Sequence, residues 1–474
     1  MREEGHFARQ NLKADKFIHV LLQGILNLYR ILMSIAGFNS FHMRHFTFTI
    51  ILSVVLNVYS SAQSLYFPPL TGNQWATTPL SALSWCPDSV AALIDYVGNN
   101  NSKAFLILKD GKIVVENYYG TFTQDSLWYW ASAGKSLTAF LVGLAQEDGL
   151  LNIDSASSLY QGAGWTACPP QEEAIITVKN QLCMTSGLDT DIPNLDCTDP
   201  ACLNCAYEPG SRWYYHNAPY TQLDAVISGA AGSTLNNYYL TRLRNRIGMN
   251  GAYVPLGYNN VKFSSARSFA RFGLLVLNRG IWAADTVMQD SNYFDAMVNT
   301  SQDLNKSYGY LWWLNGKESF RLPETELVFP GYLMPDAPAD LIAAVGKNSQ
   351  LLLIVPSQNL IVVRMGDEPP GINGLVPTAL GNEIMERIGR FNCQTTGISN
   401  LKKTQENVKN IVLKNGDCLQ PESGRKTLIY NASGQNVLQL QSNEKLCSDM
   451  LDPGLYFWIH DLNEMPVRIW RVEE

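Results

Sequence analysis

The chain has 474 residues, 46% of them hydrophobic and 16% charged, which suits a globular protein with a large core and excludes a disordered one. A formal net charge of −7, with no basic block, argues against nucleic acid as a partner. Of six histidines, four (His6, His19, His42 and His45) fall in the N-terminal stretch. That leaves His216 and His460, too few for a catalytic zinc site without a His-Glu-x-x-His motif, so no metal and no cofactor are expected.

The chain opens on targeting sequence. Met43-Arg44-His45 is a short basic start, Phe46 to Val58 an apolar core, and Ser60-Ser61-Ala62 the small residues of a cleavage site. This predicts a signal peptide over 43–62 and a mature chain beginning at Gln63. The apolar stretch is too short and wrongly flanked for a membrane span. Residues 1–42 carry a second apolar patch, Phe17 to Phe38, interrupted by Arg30. They are expected to be an extension upstream of the true start at Met43, with an extra membrane anchor as the alternative.

All nine cysteines follow the signal, which fits an oxidising compartment. Cys197, Cys202 and Cys205 crowd one loop; a disulfide staple, with Cys197–Cys202 as the first choice of pair, is preferred over a zinc knuckle that lacks local ligands. The other pairs stay open, and the odd total leaves at least one thiol free or intermolecular.

Phe105 to Val115 reads as a hairpin turned by Asp110-Gly111. After the aromatic run Leu127-Trp128-Tyr129-Trp130, a helix starts at Ser132, with Leu137, Phe140, Leu141 and Leu144 at core spacing and Gly149 at its C-terminal end. Ser265 caps a later helix that runs through Phe272 and Leu277. Leu351 to Val355 and Leu360 to Met365 form a second hairpin about Pro356-Ser357-Gln358-Asn359. Strands at both ends with helices between predict an α+β domain over 63–393 whose sheet joins N- and C-terminal segments.

Three motifs carry chemistry. Ser132-Ala133-Gly134-Lys135 puts serine and lysine on one helix face, one turn apart, a way to activate a serine without histidine. At a helix start the serine also offers its own N–H to an oxyanion. Tyr215-His216-Asn217 adds a tyrosine and an asparagine on one side of a local extended segment, with His216 pointing away in a structural role. Gly346-Lys347-Asn348-Ser349-Gln350 brings a late lysine into a strand. Two rivals fall: Gly134-Lys135-Ser136 is not a P-loop, because Tyr129 stands where that motif needs glycine, and no Gly-x-Ser-x-Gly elbow supports a Ser-His-Asp triad.

The order and context of these motifs resemble the serine β-lactamase and penicillin-binding protein superfamily, especially its class C-like, esterase-type branch. Glu147 to Asp154, Met184-Thr185-Ser186-Gly187-Leu188, Ala266 to Gly273, Tyr308 to Trp313 and Val355-Pro356-Ser357 carry the likeness across the body. The resemblance implies an antiparallel sheet flanked by helices, a helical lobe, and a cleft between them. It implies Ser132 as nucleophile, Lys135 as its deprotonating or positioning partner, and Tyr215 as second proton carrier. Asn217 and Lys347 would contact substrate, and the N–H groups of Ser132 and Gln350 would form the oxyanion hole. The usual small-residue-then-glycine pair of the third motif is Asn348-Ser349 here. Whether lysine or tyrosine is the base stays open.

Residues 394–412 read as a linker and 413–474 as a small all-β domain. Thr427 to Leu438 is a strand–turn–strand signal, and Gly454-Leu455-Tyr456-Phe457 and Val467 to Val472 begin further strands. This tail resembles the C-terminal sorting domains of the type IX secretion system, although it ends Val472-Glu473-Glu474 where many end in basic residues. The resemblance implies partnership with that secretion machinery and an extracellular or outer-surface location; a β-module for carbohydrate or protein binding is the alternative. The expectation is a secreted serine hydrolase for small esters or amides. A D-alanyl peptide hydrolase or β-lactamase and a catalytically silent peptide- or glycan-binding protein are the other readings.

Overall fold

A computed structural model describes residues 65–371, 377–393, 410–420, 427–431, 436–441, 444–452, 454–459 and 467–471. The expected extension, signal peptide, Gln63 cleavage point, nearly all of the linker and the terminal Glu474 lie outside the described residues.

Helix α1 (Pro87–Asn99) leads into the hairpin β1 (Ser102–Lys109) and β2 (Lys112–Tyr118), which turns at Asp110-Gly111 as expected. The short strand β3 (Trp128–Tyr129) precedes a 3₁₀ turn, Ala131–Ala133, that runs into α2 (Gly134–Glu147). Helices α3 (Asn217–Thr221) and α4 (Leu223–Ala231) belong to the helical lobe. Strands β4 (Ala252–Leu256) and β5 (Asn259–Ser264) join β3 in a small sheet of order β3-β5-β4, and α5 (Ala266–Leu277) follows, its first turn capped by the Ser265 side chain accepting from Ser268 N. Last come β6 (Trp313–Leu314), β7 (Ile342–Gly346), β8 (Gln350–Val355), β9 (Leu360–Gly366) and α6 (Ala379–Ile388).

The main sheet has the order β2-β1-β9-β8-β7-β6, with every pairing antiparallel. β1 pairs with β9, Phe105 opposite Arg364, so the first and last strands of the body meet at the centre, as the element order predicts. All six residues of β8 are buried, which requires cover on both faces. Helix α5 lies across β1, β8 and β9, while α1 packs on β1 and on α6. The disulfide Cys86–Cys393 joins the residue before α1 to the segment after α6.

Helix α2 is buried along most of its length, including Leu137, Phe140, Leu141 and Leu144, and contacts α4 on the lobe side. Trp130 stacks on Phe269 of α5 at 3.9 Å, fixing the turn that carries Ser132 over the body core. The lobe has its own cluster of Trp165, Ile176, Leu188, Leu203 and Ala218, with the Cys168–Cys205 disulfide beside it. Cys197–Cys202 forms as expected, Cys418–Cys447 lies in the tail, and Cys183 is a buried free thiol.

The tail forms a sheet of its own. Strands β10 (Asn410–Leu413), β11 (Thr427–Asn431), β12 (Asn436–Leu440), β13 (Gly454–Ile459) and β14 (Val467–Arg471) stand in the order β10-β14-β13-β11-β12. Strand β10 begins at Asn410, inside the stretch expected as linker, and lies parallel to β14. Leu413, Ile429, Leu440, Trp458 and Ile469 give this module its own core.

Candidate active site

Ser132 sits on the 3₁₀ turn at the head of α2, half-buried, and Lys135 one turn on is only 4% exposed. Lys135 Nζ donates to Ser132 Oγ at 2.8 Å. The ammonium lies 4.2 Å from the centroid of the Tyr220 ring and 5.0 Å from that of Tyr215. Burial draws Lys135 down from its ordinary range to about 7, and the carboxylate of Asp196 opposes that shift without cancelling it. A lysine poised there is largely a free base just above neutral pH.

Tyr215 lies two residues before the start of α3, with His216 between them, and is 2% exposed. Its hydroxyl lies close enough to Ser132 to feel that side chain, and its ring stacks on Trp313 at 5.9 Å with Tyr308 edge-on at 6.4 Å. Burial raises the phenol well above its ordinary value, outweighing the opposing influence of Ser132, so Tyr215 stays protonated at neutral pH. Ser132, Lys135 and Tyr215, drawn from two distant segments, thus meet around one oxygen. Trp313 supports Tyr215 from β6, whereas Trp312 is fully buried against Phe272 in the core.

Asn217 opens α3 beside Tyr215, and its Oδ1 is buried with no hydrogen-bond partner among the described residues. His216 turns the other way, as expected: it is buried and lines a water-sized cavity with Met184, Leu188 and Arg212. Burial and the nearby Arg212 charge push it down to about 4, so it is neutral at physiological pH.

The third motif differs from its expected form in two respects. Lys347–Ser349 is the turn between β7 and β8 rather than part of a strand, and Asn348 and Ser349 both take left-handed φ, 61° and 54°. Lys347 is exposed at the tip. Gln350 is fully buried, and its side-chain amide donates to Gly366 O at 2.7 Å and reaches the carbonyls of Lys347 and Asn348 at 3.3 Å. Its side chain braces the hairpin and does not line the cleft. The backbone that approaches Ser132 belongs to Gly346, where a Cβ would stand 3.0 Å from Ser132 N and 2.4 Å from Trp130 O. The close-approach glycine lies before Lys347, not two residues after it.

Arg364, on β9, holds this turn and was not singled out by any motif. It is fully buried, and its guanidinium donates to the carbonyls of Asn348, Ser349, Asn100 and Asp367 and to Ser102 Oγ. Burial lowers it to about 10, still charged at any working pH. From the other side, Asn348 Nδ2 donates to Tyr129 Oη at 2.7 Å, tying the turn to the strand that leads to Ser132. An arginine amid β-strand valines was the available signal: it interrupts an apolar run and needs acceptors.

The "Beta-lactamase" family model matches residues 93–372, which include Ser132, Lys135, Tyr215 and the β7–β8 turn. Comparison with curated proteins by sequence finds no match. Among solved structures, a candidate 6-aminohexanoate-dimer hydrolase from Bacillus anthracis is 16% identical at a TM-score of 0.50, over 65% of this chain and 86% of that one. A protein called SurE is 16% identical at 0.50, over 82% of this chain and 94% of that one. A family VIII carboxylesterase is 15% identical at 0.49, over 67% of this chain and 99% of that one. At these identities the likeness to the first two bears on fold alone. The family match over most of the body, with serine, lysine and tyrosine converging inside it, identifies the chain as a member of the beta-lactamase family and a serine hydrolase.

Proposed function

We propose that the protein cleaves small esters or amides through an acyl-enzyme on Ser132. The observation that carries this reading is the 2.8 Å contact between Ser132 Oγ and a buried Lys135 held near 7. Neutral Lys135 takes the hydroxyl proton as Ser132 Oγ attacks the substrate carbonyl carbon. The developing oxyanion is met by the N–H of Ser132 and by an N–H of the adjoining Gly346–Lys347 backbone, the segment that lies against it. Tyr215, kept protonated by burial, passes a proton to the leaving alcohol or amine as the C–O or C–N bond breaks, and is reprotonated from Lys135. Water then attacks the acyl-enzyme; its proton goes to the same lysine–tyrosine pair, and the acid departs with Ser132 restored. Labelling by a fluorophosphonate probe, mapped by peptide mass to Ser132, tests this; no label on a folded sample overturns it and favours the binding-only reading.

Short-chain esters are the preferred substrates over bicyclic β-lactams. What supports this is the Asn348–Tyr129 bridge and the absence of the usual glycine in the turn, which leave less room beside the β7–β8 hairpin. The protein is exported, with removal of residues 1–62 and sorting through 413–474. The basic–apolar–small pattern of residues 43–62, four disulfides and the separately cored tail sheet support that reading.

A further inference from the structure

The loop before Tyr215 carries Asp196 immediately ahead of the Cys197–Cys202 staple, and the Cys168–Cys205 disulfide encloses both. It is docked on α3: Ala218 N donates to Leu195 O at 2.9 Å, and Gln222 Nε2 donates to Thr198 O at 3.1 Å. The first of these bonds joins the immediate neighbours of Asn217 and Asp196, so the two residues lie side by side next to Tyr215. Oδ1 of Asp196 and Oδ1 of Asn217 are both buried, and neither has a hydrogen-bond partner among the described residues.

Among the described residues, no cation of the site is available to that carboxylate. Lys135 faces it closely enough to feel its charge, but donates to Ser132 and is enclosed by the rings of Tyr215 and Tyr220. Arg212, the other cation nearby, is engaged by Glu326 at 2.6 Å and by Thr190 at 2.9 Å. A partly buried carboxylate without a partner is costly, and a charged donor supplied from outside relieves that cost.

We infer that Asp196 and Asn217 form a subsite beside Ser132 that receives a protonated amine, so that the preferred esters and amides carry a cationic group near the scissile bond. This rests on Ser132 being the nucleophile. The amine donates to both free oxygens, while an anionic substituent there meets Asp196 and is rejected.

Two matched pairs test it. On the acyl side, the p-nitrophenyl ester of β-alanine is compared with p-nitrophenyl butyrate; on the alcohol side, 2-(dimethylamino)ethyl acetate is compared with 3-methylbutyl acetate. The readout is the ratio of kcat/KM within each pair, which cancels any general loss of rate. In the wild type one pair is expected to favour its cationic member by about tenfold or more, as hydrogen bonds to a charged group do. Asp196→Asn should bring that ratio close to one and Asp196→Lys should invert it, with fluorophosphonate labelling of Ser132 confirming that each variant is folded. A wild-type ratio near one in both pairs, or a ratio that Asp196→Asn leaves unchanged, overturns the subsite while leaving the hydrolase reading intact. No turnover of any of the four esters, with no labelling of Ser132, overturns the parent reading and the subsite with it.

Discussion

Gly346 and Ser132 touch through their backbones: a Cβ on Gly346 would stand 3.0 Å from Ser132 N and 2.9 Å from Ala133 N. Strand end and nucleophile turn therefore move as one piece. Gly346→Ala should push them apart by a fraction of an ångström and lower kcat/KM for a short-chain ester by about 100-fold, the usual cost of a small misplacement at the reacting atoms. Steady-state kinetics on a sample whose thermal unfolding stays cooperative checks this; a loss under about threefold would show that the contact is slack.

The pH dependence follows from Lys135. With burial holding it at about 7, it is protonated and unable to accept a proton below that value, and free to accept above it. kcat/KM should therefore rise with pH through about 7 and then level off. Lys135→Arg, charged at every working pH, should lose about 1,000-fold or more across the whole range. A flat wild-type profile between pH 5 and 9, bounds chosen to bracket the expected inflection by about 2 on either side, would move the base role elsewhere.

Ser132→Ala should abolish turnover of p-nitrophenyl acetate, at a cost of several powers of ten in rate. Tyr215→Phe keeps the ring on Trp313 and Tyr308 and so should fold normally, yet lose about 100-fold or more in kcat with little change in KM. Near-normal turnover by either variant would withdraw the role assigned to that residue.

Arg364→Lys replaces five donors in a planar fork by three on a point charge, leaving carbonyls of the β7–β8 turn without partners. The expected loss is about 3 kcal/mol of stability, read by chemical denaturation, together with reduced kcat because Asn348 and Ser349 no longer hold their left-handed backbone. An unchanged denaturation midpoint would show that the turn holds itself.

Nitrocefin and p-nitrophenyl acetate, assayed on one preparation, decide the substrate preference. The ester should show the larger kcat/KM by about 100-fold or more, about 2.7 kcal/mol of discrimination, within the range that a single steric or polar mismatch supplies. A nitrocefin value equal to it or higher would reverse the assignment.

The elements that were legible in the chain were those set by short-range patterns. Asp110-Gly111 announced its hairpin, Ser265 its helix cap, and the spacing of Ser132 and Lys135 their shared helix face. The backbone geometry of the third motif was not legible in its spacing, because it is imposed from afar. Ser349 adopts a left-handed conformation that serine rarely takes, held with Asn348 by Arg364 on a neighbouring strand, and the glycine that permits close approach precedes the lysine. The brace that the Gln350 side chain makes to Gly366 O was likewise not legible, because it depends on the adjacency of β8 and β9. Nor could spacing reveal Cys86–Cys393, whose partners are 307 residues apart.

That bond has a topological consequence. From Cys86 to Cys393 the chain is a covalent loop, closed where Cys86 N also donates to Phe391 O. Everything that holds Ser132, Lys135, Tyr215 and the β7–β8 turn lies inside the loop, while the tail sheet hangs from its point of closure. A peptide bond cut between Cys393 and Asn410 leaves the ring sealed, so the catalytic machinery and the tail can part company without either one losing a strand of its own sheet.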